Sequence, residues 1–254
     1  MRWLRRSRSV RVLAAVAALL VVGWVVVQRV AGSSDPVTDR DALAAFNAAP
    51  SGVVPAGGPA PGVYRYRARG SERGGAGPFA ISRDIPAEAL LVVTPRGSGW
   101  DAELSYSHQH IETARYELRD GAIRVTWRRT KITFAGFGRD DRRAIDPPSV
   151  FLPAGAAPGA RWSEAYRTGD ISVKGDNRIL RAQRVSVDGA NVDVLVVASR
   201  ATTSGPHPGT RTETLWWAST LGLPVRWDVD MDIGGVFAFR ARTRLELVSA
   251  VPMT

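Results

Sequence analysis

From Gly62 onward apolar and polar residues alternate with a period of two through most of the chain, as they do in strands that bury one face. Tyr64, Tyr66 and Ala68 alternate with Arg65, Arg67 and Arg69, and Leu90 to Thr94 is a short apolar run. From Trp100 to Leu118 the even positions read Trp, Ala, Leu, Tyr, His, His, Glu, Ala, Tyr, Leu. That stretch is too long for one ordinary strand, so it predicts a bend, a bulge or an odd-length connection that keeps the phase. Asp120-Gly121 and Asp188-Gly189 are hairpin-turn dipeptides. Between them Ile123, Val125 and Trp127 share one phase and Ile132 and Phe134 the other, which predicts a bulge near Arg129. Residues 135–158 contain Pro147, Pro148, Pro153 and Pro158 and read as a long loop. Strands resume at 161–165, 182–187, 192–198, 211–217, 224–232 and 236–248.

The last hairpin can be read to its register. Val225, Trp227, Val229 and Met231 share one face, and Phe237, Phe239, Ala241 and Leu245 share another. The two faces coincide only if paired residue numbers sum to an even value, so a two-residue turn at Gly234-Gly235 is excluded and a three- or five-residue loop is predicted. The opposite faces then set Asp228, Asp230 and Asp232 against Arg240, Arg242 and Arg244 as a ladder of opposite charges. The Asp-x-Asp-x-Asp spacing lacks the glycine and glutamate of a helix-loop-helix calcium loop, since Ile233 and Phe239 stand at those offsets.

The N-terminal part follows a different pattern. Arg2, Arg5, Arg6, Arg8 and Arg11 precede an uncharged apolar run from Val12 to Val27. Extended through residue 30 with snorkelling flanks, the run predicts a transmembrane signal anchor with a cytoplasmic N-terminus. A cleaved signal peptide ending at the small residues Val30, Ala31 and Gly32 competes with the anchor. Thr38 or Asp39 can cap a short helix through about Asn47, and the Pro/Gly/Ala-rich stretch to Pro61 reads as a linker. The expected organisation is a cytoplasmic tip and anchor at 1–32, helix and linker at 33–61, and an extracytoplasmic β domain at 62–254. The localisation that follows is single-pass in the plasma membrane.

Charge modifies this picture little. The net charge is +10, but six of the 34 basic residues lie at or before Arg29 and all 24 acids after it, leaving +4 for the remainder. No nucleic-acid partner is implied. The chain has no cysteine, which excludes disulfides, thiolate sites and the lipidated cysteine of a lipoprotein.

Candidate chemistry is sparse. His108, His110 and Glu112, spaced by two, would project from one face of a strand and form a weak candidate metal site for zinc or iron. The arginine rows at 65, 67 and 69 and at 124, 128 and 129 read as the wet face of a sheet. Tyr64, Tyr66, Trp100, Leu104, Tyr106 and Trp127 are candidates to line a concave, ligand-binding face. No nucleophile elbow, phosphate-binding glycine loop or zinc-protease helix is present, and no cofactor is expected.

The stretch TLWWASTLGLPVRW, Thr214 to Trp227, resembles bacterial envelope proteins of the lipoprotein-localisation-factor type. The resemblance implies a strongly curved antiparallel sheet, a half-barrel or open barrel, whose concave face holds acyl chains. The sequence thus predicts a mainly β protein, a transmembrane helix followed by that sheet. Its expected role is non-enzymatic, binding an apolar or amphipathic envelope molecule. Its partners would be the membrane, through residues 12–30, and a lipid or envelope protein. An envelope scaffold with a filled core and a metal-dependent hydrolase are the alternatives.

Overall fold

The computed structural model describes residues 33–77 and 80–254. One helix, α1 (Asp39–Asn47), precedes strands β1 (Gly62–Gly75), β2 (Ile81–Asp84), β3 (Glu88–Arg96), β4 (Gly99–Ser107), β5 (His110–Arg119), β6 (Ala122–Phe134) and β7 (Phe137–Leu152). After these come β8 (Arg161–Thr168), β9 (Ile171–Val187), β10 (Ala190–Ser204), β11 (Gly209–Ala218), β12 (Leu223–Ile233) and β13 (Ala238–Leu247). Consecutive strands from β3 to β13 pair antiparallel, and β13 returns to β1 over ten residue pairs, from Tyr66↔Leu247 to Gly75↔Ala238. On its other edge β1 pairs first with β3 and then with β2. The sheet is therefore a closed barrel of twelve strands with β2 added at one rim.

This corrects the expected half-barrel. Closure follows from the length of β1, whose edges are satisfied on both sides, so the row of free N–H and C=O groups that an open sheet would expose is used up in pairing. The expectation of a transmembrane helix ahead of the sheet is corrected as well: no helix among the described residues is long and apolar enough to cross a membrane. The expected span, residues 12–30, lies outside the described residues, so the single-pass plasma-membrane placement that rested on it has no support among them.

The ring is weakest between β7 and β8, where one pair, Asp146↔Arg167, is formed. The stretch expected to be a long loop is in fact β7, and only the residues after Leu152 form a loop. Its prolines are tolerated because Pro147 and Pro148 fall where the β6 ladder skips from Trp127↔Ala144 to Val125↔Ser149, so no ladder N–H is lost.

Several local expectations hold. Asp120 (φ 54°) and Gly121 (φ 74°), and Asp188 (φ 50°) and Gly189 (φ 77°), make the two left-handed hairpin turns. Ala135 (φ 50°) and Gly136 (φ 79°) make a third that the sequence reading placed in loop. The bulge in β6 exists but sits at Thr126, where Arg115↔Trp127 gives way to Tyr116↔Val125. The last hairpin pairs Ile233 with Phe239 and Trp227 with Leu245, even sums with a five-residue loop between. Its outer face carries Arg244–Asp228 at 2.9 Å, Arg242–Asp230 at 2.7 Å and Arg240–Asp232 at 3.0 Å.

Outside the barrel, α1 is capped by Thr38 through a capping box with Asp41 and packs Ala42 on Val63, Leu90 and Val92. Asp39 of its first turn pairs with Arg65. The Pro/Gly/Ala-rich segment crosses one end of the barrel: Val54 joins the core cluster with Trp100, and a Cβ on Gly58 would lie 3.0 Å from that indole. Inside, Gly74 makes room for Phe134, whose Cε2 would lie 2.4 Å from an added Cβ. Gly74→Ala should cost about 1–3 kcal/mol by overpacking, and adding Phe134→Leu should recover part of it in urea unfolding.

Candidate functional site

The even positions of β4 and β5 face the lumen, as the unbroken alternation required. A two-residue turn at His108-Gln109 and an irregularity between Ser105 and Ser107 carry the phase from one strand to the next. In most barrels of this size such positions would be apolar or would line a channel. Here a row of charges runs through them.

Glu72 of β1, 2% exposed, accepts from Arg83 Nε at 2.6 Å and from His110 Nδ1 at 2.7 Å. His110, 1% exposed, reaches Glu112 with its other nitrogen at 3.4 Å, and the second oxygen of Glu112 lies 3.4 Å from Arg211. Arg211 Nε donates to Glu213 at 2.7 Å, and Trp227 Nε1 donates to the same oxygen at 3.1 Å. The imidazole also stacks on Tyr106, with ring centroids 4.6 Å apart. Arg83 lies over Phe134 at 4.0 Å and donates to Thr133 O at 2.8 Å. One continuous chain of paired charges thus joins β2, β1, β5 and β11 across the lumen, with the indole of Trp227 on β12 bonded to its last carboxylate.

Protonation follows from the pairing. Burial alone would lower the His110 pKa, but the fields of Glu72 and Glu112 and its bonds to both push it up to about 9. Burial would likewise raise the two carboxyls, yet Arg211 and then His110 hold Glu112 well below the carboxylate range, and His110 and then Arg83 lower Glu72. His110 is therefore an imidazolium that donates from both nitrogens, with no lone pair left for a metal ion or for proton abstraction.

Beside this chain lies a cavity of about 100 Å³. Leu91, Leu104, Phe151, Leu215 and Trp217 form its apolar wall, while Glu112, Arg128, Glu164, Arg211 and Glu213 line the rest. Residues from both sides of the β7–β8 seam border it, and Ser149 Oγ to Glu164 at 2.8 Å and Trp162 Nε1 to Val150 O at 3.0 Å bridge that seam. Arg128 differs from the other arginines of the lining, Arg129 and Arg211, which are paired with Asp140 and with Glu112 and Glu213. Its Nε is buried without a hydrogen-bond partner, and it takes part in no ion pair among the described residues. The field of Tyr166, ahead of that of Glu164, raises its pKa further.

The sequence-predicted lining residues divide. Leu104 borders the cavity. Tyr64, Tyr66, Trp100 and Tyr106 are buried in the surrounding core, where Tyr64 donates to Ala60 O and Tyr66 to Pro224 O, each at 2.8 Å. Trp127 lies on the other face, under Arg115 at 5.4 Å, because the bulge at Thr126 reverses the phase. The candidate metal set is not assembled. His108 sits in the turn, 44% exposed and 3.7 Å from Asp41 of α1, while His110 and Glu112 point inward. No group of three metal-ligating side chains occurs among the described residues. Glu72, Arg128, Arg211 and Glu213 were missed. The same bulge moves Arg128 from the expected wet face into phase with Ile132 and Phe134, and charges standing in the apolar phase of a strand, as Arg211 and Glu213 stand in phase with Leu215 and Trp217, were the available signal.

No family model matches the sequence, and no curated protein matches it. Among solved structures the chain is similar to the hypothetical lipoprotein YmcC from Escherichia coli (K12), over 82% of this chain and 97% of that one, with 13% identity and a TM-score of 0.29.

Proposed function

We propose that this protein is a non-enzymatic binding barrel that takes an apolar or amphipathic molecule into its lumen. The observation that carries the reading is the cavity beside the charge chain, which sets a hydrocarbon wall against polar groups in one space. The committed hydrogen bonds of His110 support the non-enzymatic part, since the imidazole best placed for catalysis has both nitrogens occupied by carboxylates. A second reading, an envelope scaffold with a filled core, is favoured by the way Tyr64, Tyr66, Trp100 and Tyr106 close the lumen around a cavity smaller than the roughly 300 Å³ of ordinary ligand pockets.

Native mass spectrometry of the protein isolated from its own source distinguishes the two, with Leu104→Phe as the comparison. Leu104 borders the empty space, so the larger ring can enter it, and the variant should keep the parent's stability within about 1.5 kcal/mol. The binding reading requires an added small-molecule mass on the parent that is lost in Leu104→Phe. A bare polypeptide mass in every preparation of the parent, with Leu104→Phe equally folded, would reject it in favour of the scaffold.

A further inference from the structure

We infer that the ligand of the lumen is a small organic anion with a short hydrocarbon chain, its anionic group paired with Arg128 and its chain against Leu91, Leu104 and Trp217. The inference rests on the binding reading and deepens it. Three features of the cavity carry it.

The first is the state of the charges around the space. Glu112 and Glu213 are committed to Arg211, His110 and Trp227, and Glu164 to Ser149. Arg128 is the cation of the lining that forms no ion pair among the described residues, and its Nε–H is buried without an acceptor. An unpaired buried donor of this kind is a cost that a bound carboxylate or other oxyanion would recover through charge-assisted hydrogen bonds. A cationic ligand would instead meet Glu112 and Glu213 already paired with Arg211 and Glu164 already accepting from Ser149.

The second is size. A cavity of about 100 Å³ is smaller than the ~150 Å³ apolar cavity that accepts benzene, so the chain it admits has on the order of four carbons. Long acyl chains do not fit without parting the wall.

The third is the route in. The cavity borders the β7–β8 seam, which is closed by one backbone pair and by the Ser149–Glu164 and Trp162–Val150 contacts. Every other neighbouring pair of strands in the ring is joined by at least six residue pairs.

Butyrate, 1-butanol and octanoate, each titrated into the parent protein by calorimetry and followed by NMR, test the inference. Butyrate should bind one to one, and 1-butanol, which lacks the charge, roughly ten- to hundredfold more weakly. Arg128→Gln should weaken butyrate by a similar factor while leaving 1-butanol unchanged, and Arg128→Lys should restore part of the butyrate affinity. If 1-butanol binds as well as butyrate, or Arg128→Gln binds butyrate unchanged, the anionic assignment fails and the binding barrel stands. Octanoate binding more tightly than butyrate would overturn the size limit. Failure of all three compounds to bind the folded parent would overturn the inference, while the reading beneath it is decided by the added mass in native mass spectrometry. Should Arg128→Gln not fold, the butyrate-to-butanol ratio in the parent decides the matter.

Discussion

Glu72→Leu should destabilise the barrel by roughly 3–5 kcal/mol, measured as a shift of the urea midpoint at constant slope. Glu72 is the shared acceptor of Arg83 and His110 in a part of the lumen with almost no water contact, and all three side chains are at most 4% exposed. Removing the carboxylate strands two cations in a low-dielectric interior. The lost Coulomb energy is only part of the cost; the larger part is desolvation of charges that no longer have partners. The triple replacement Glu72→Leu, Arg83→Met and His110→Leu removes both stranded charges and should recover most of the loss. Asp230→Ala in the outer ladder breaks an ion pair of comparable length, 2.7 Å, but with its arginine 82% exposed it should change stability by less than about 1 kcal/mol. Equal effects at the two sites would mean that the inner chain does not bear on folding.

The contrast between those two ladders also shows what the sequence could reveal. The outer ladder was legible because period-two alternation in Val225–Met231 and Phe237–Leu245 is strict, and a parity argument then fixes which aspartate meets which arginine. The same logic held from Trp100 to Leu118, where the even residues do line the lumen. It failed where a single residue changed the phase. Thr126 is that residue: it sends Trp127 out and brings Arg128 in, and both were assigned to the wrong face. A bulge three residues from its expected place is a small error in chain position and a complete inversion in side-chain direction.

Closure was not legible for a different reason. A half-barrel and a full barrel demand the same inward apolar positions, and what separates them is whether β1 meets β13. That contact joins residues 163 to 181 positions apart through backbone groups, which carry no sequence signature. The stretch TLWWASTLGLPVRW agrees locally with the strands expected at 211–217 and 224–232, with β11 ending at Ala218, Gly222 left-handed at φ 64° in the turn, and β12 starting at Leu223. Local agreement of that kind does not extend to how many strands complete the circle. β7 was hidden by its prolines, which argue against a strand only where a ladder N–H is needed, and here the ladder skips them.

Stability should depend on pH with a plateau from about pH 5 to 6.5 and a loss on either side, and the chain through His110 sets both limits. The imidazole titrates near 6.5 in the unfolded chain and at about 9 in the folded one. The folded state therefore binds a proton more tightly, its contribution is fully present below pH 6.5, and it is lost as the pH rises through 9. A shift of that size corresponds to roughly 3 kcal/mol, or a fall in Tm of roughly 10 °C for a domain of this size. On the acid side Glu72 and Glu112 titrate near 4.5 when unfolded and lower when folded, so their contribution is present above pH 4.5 and disappears as the pH falls toward their folded values. Neutral His110→Leu should start from a lower plateau, since it leaves Glu72 and Glu112 with one cation fewer, and its Tm should be flat from pH 6.5 to 9 where the parent's falls. A parent Tm that is itself flat across that interval would show that His110 is not held as an imidazolium between the two carboxylates. The proton would then have to be absent from one of its two bonds, leaving a ring nitrogen free to act as a base.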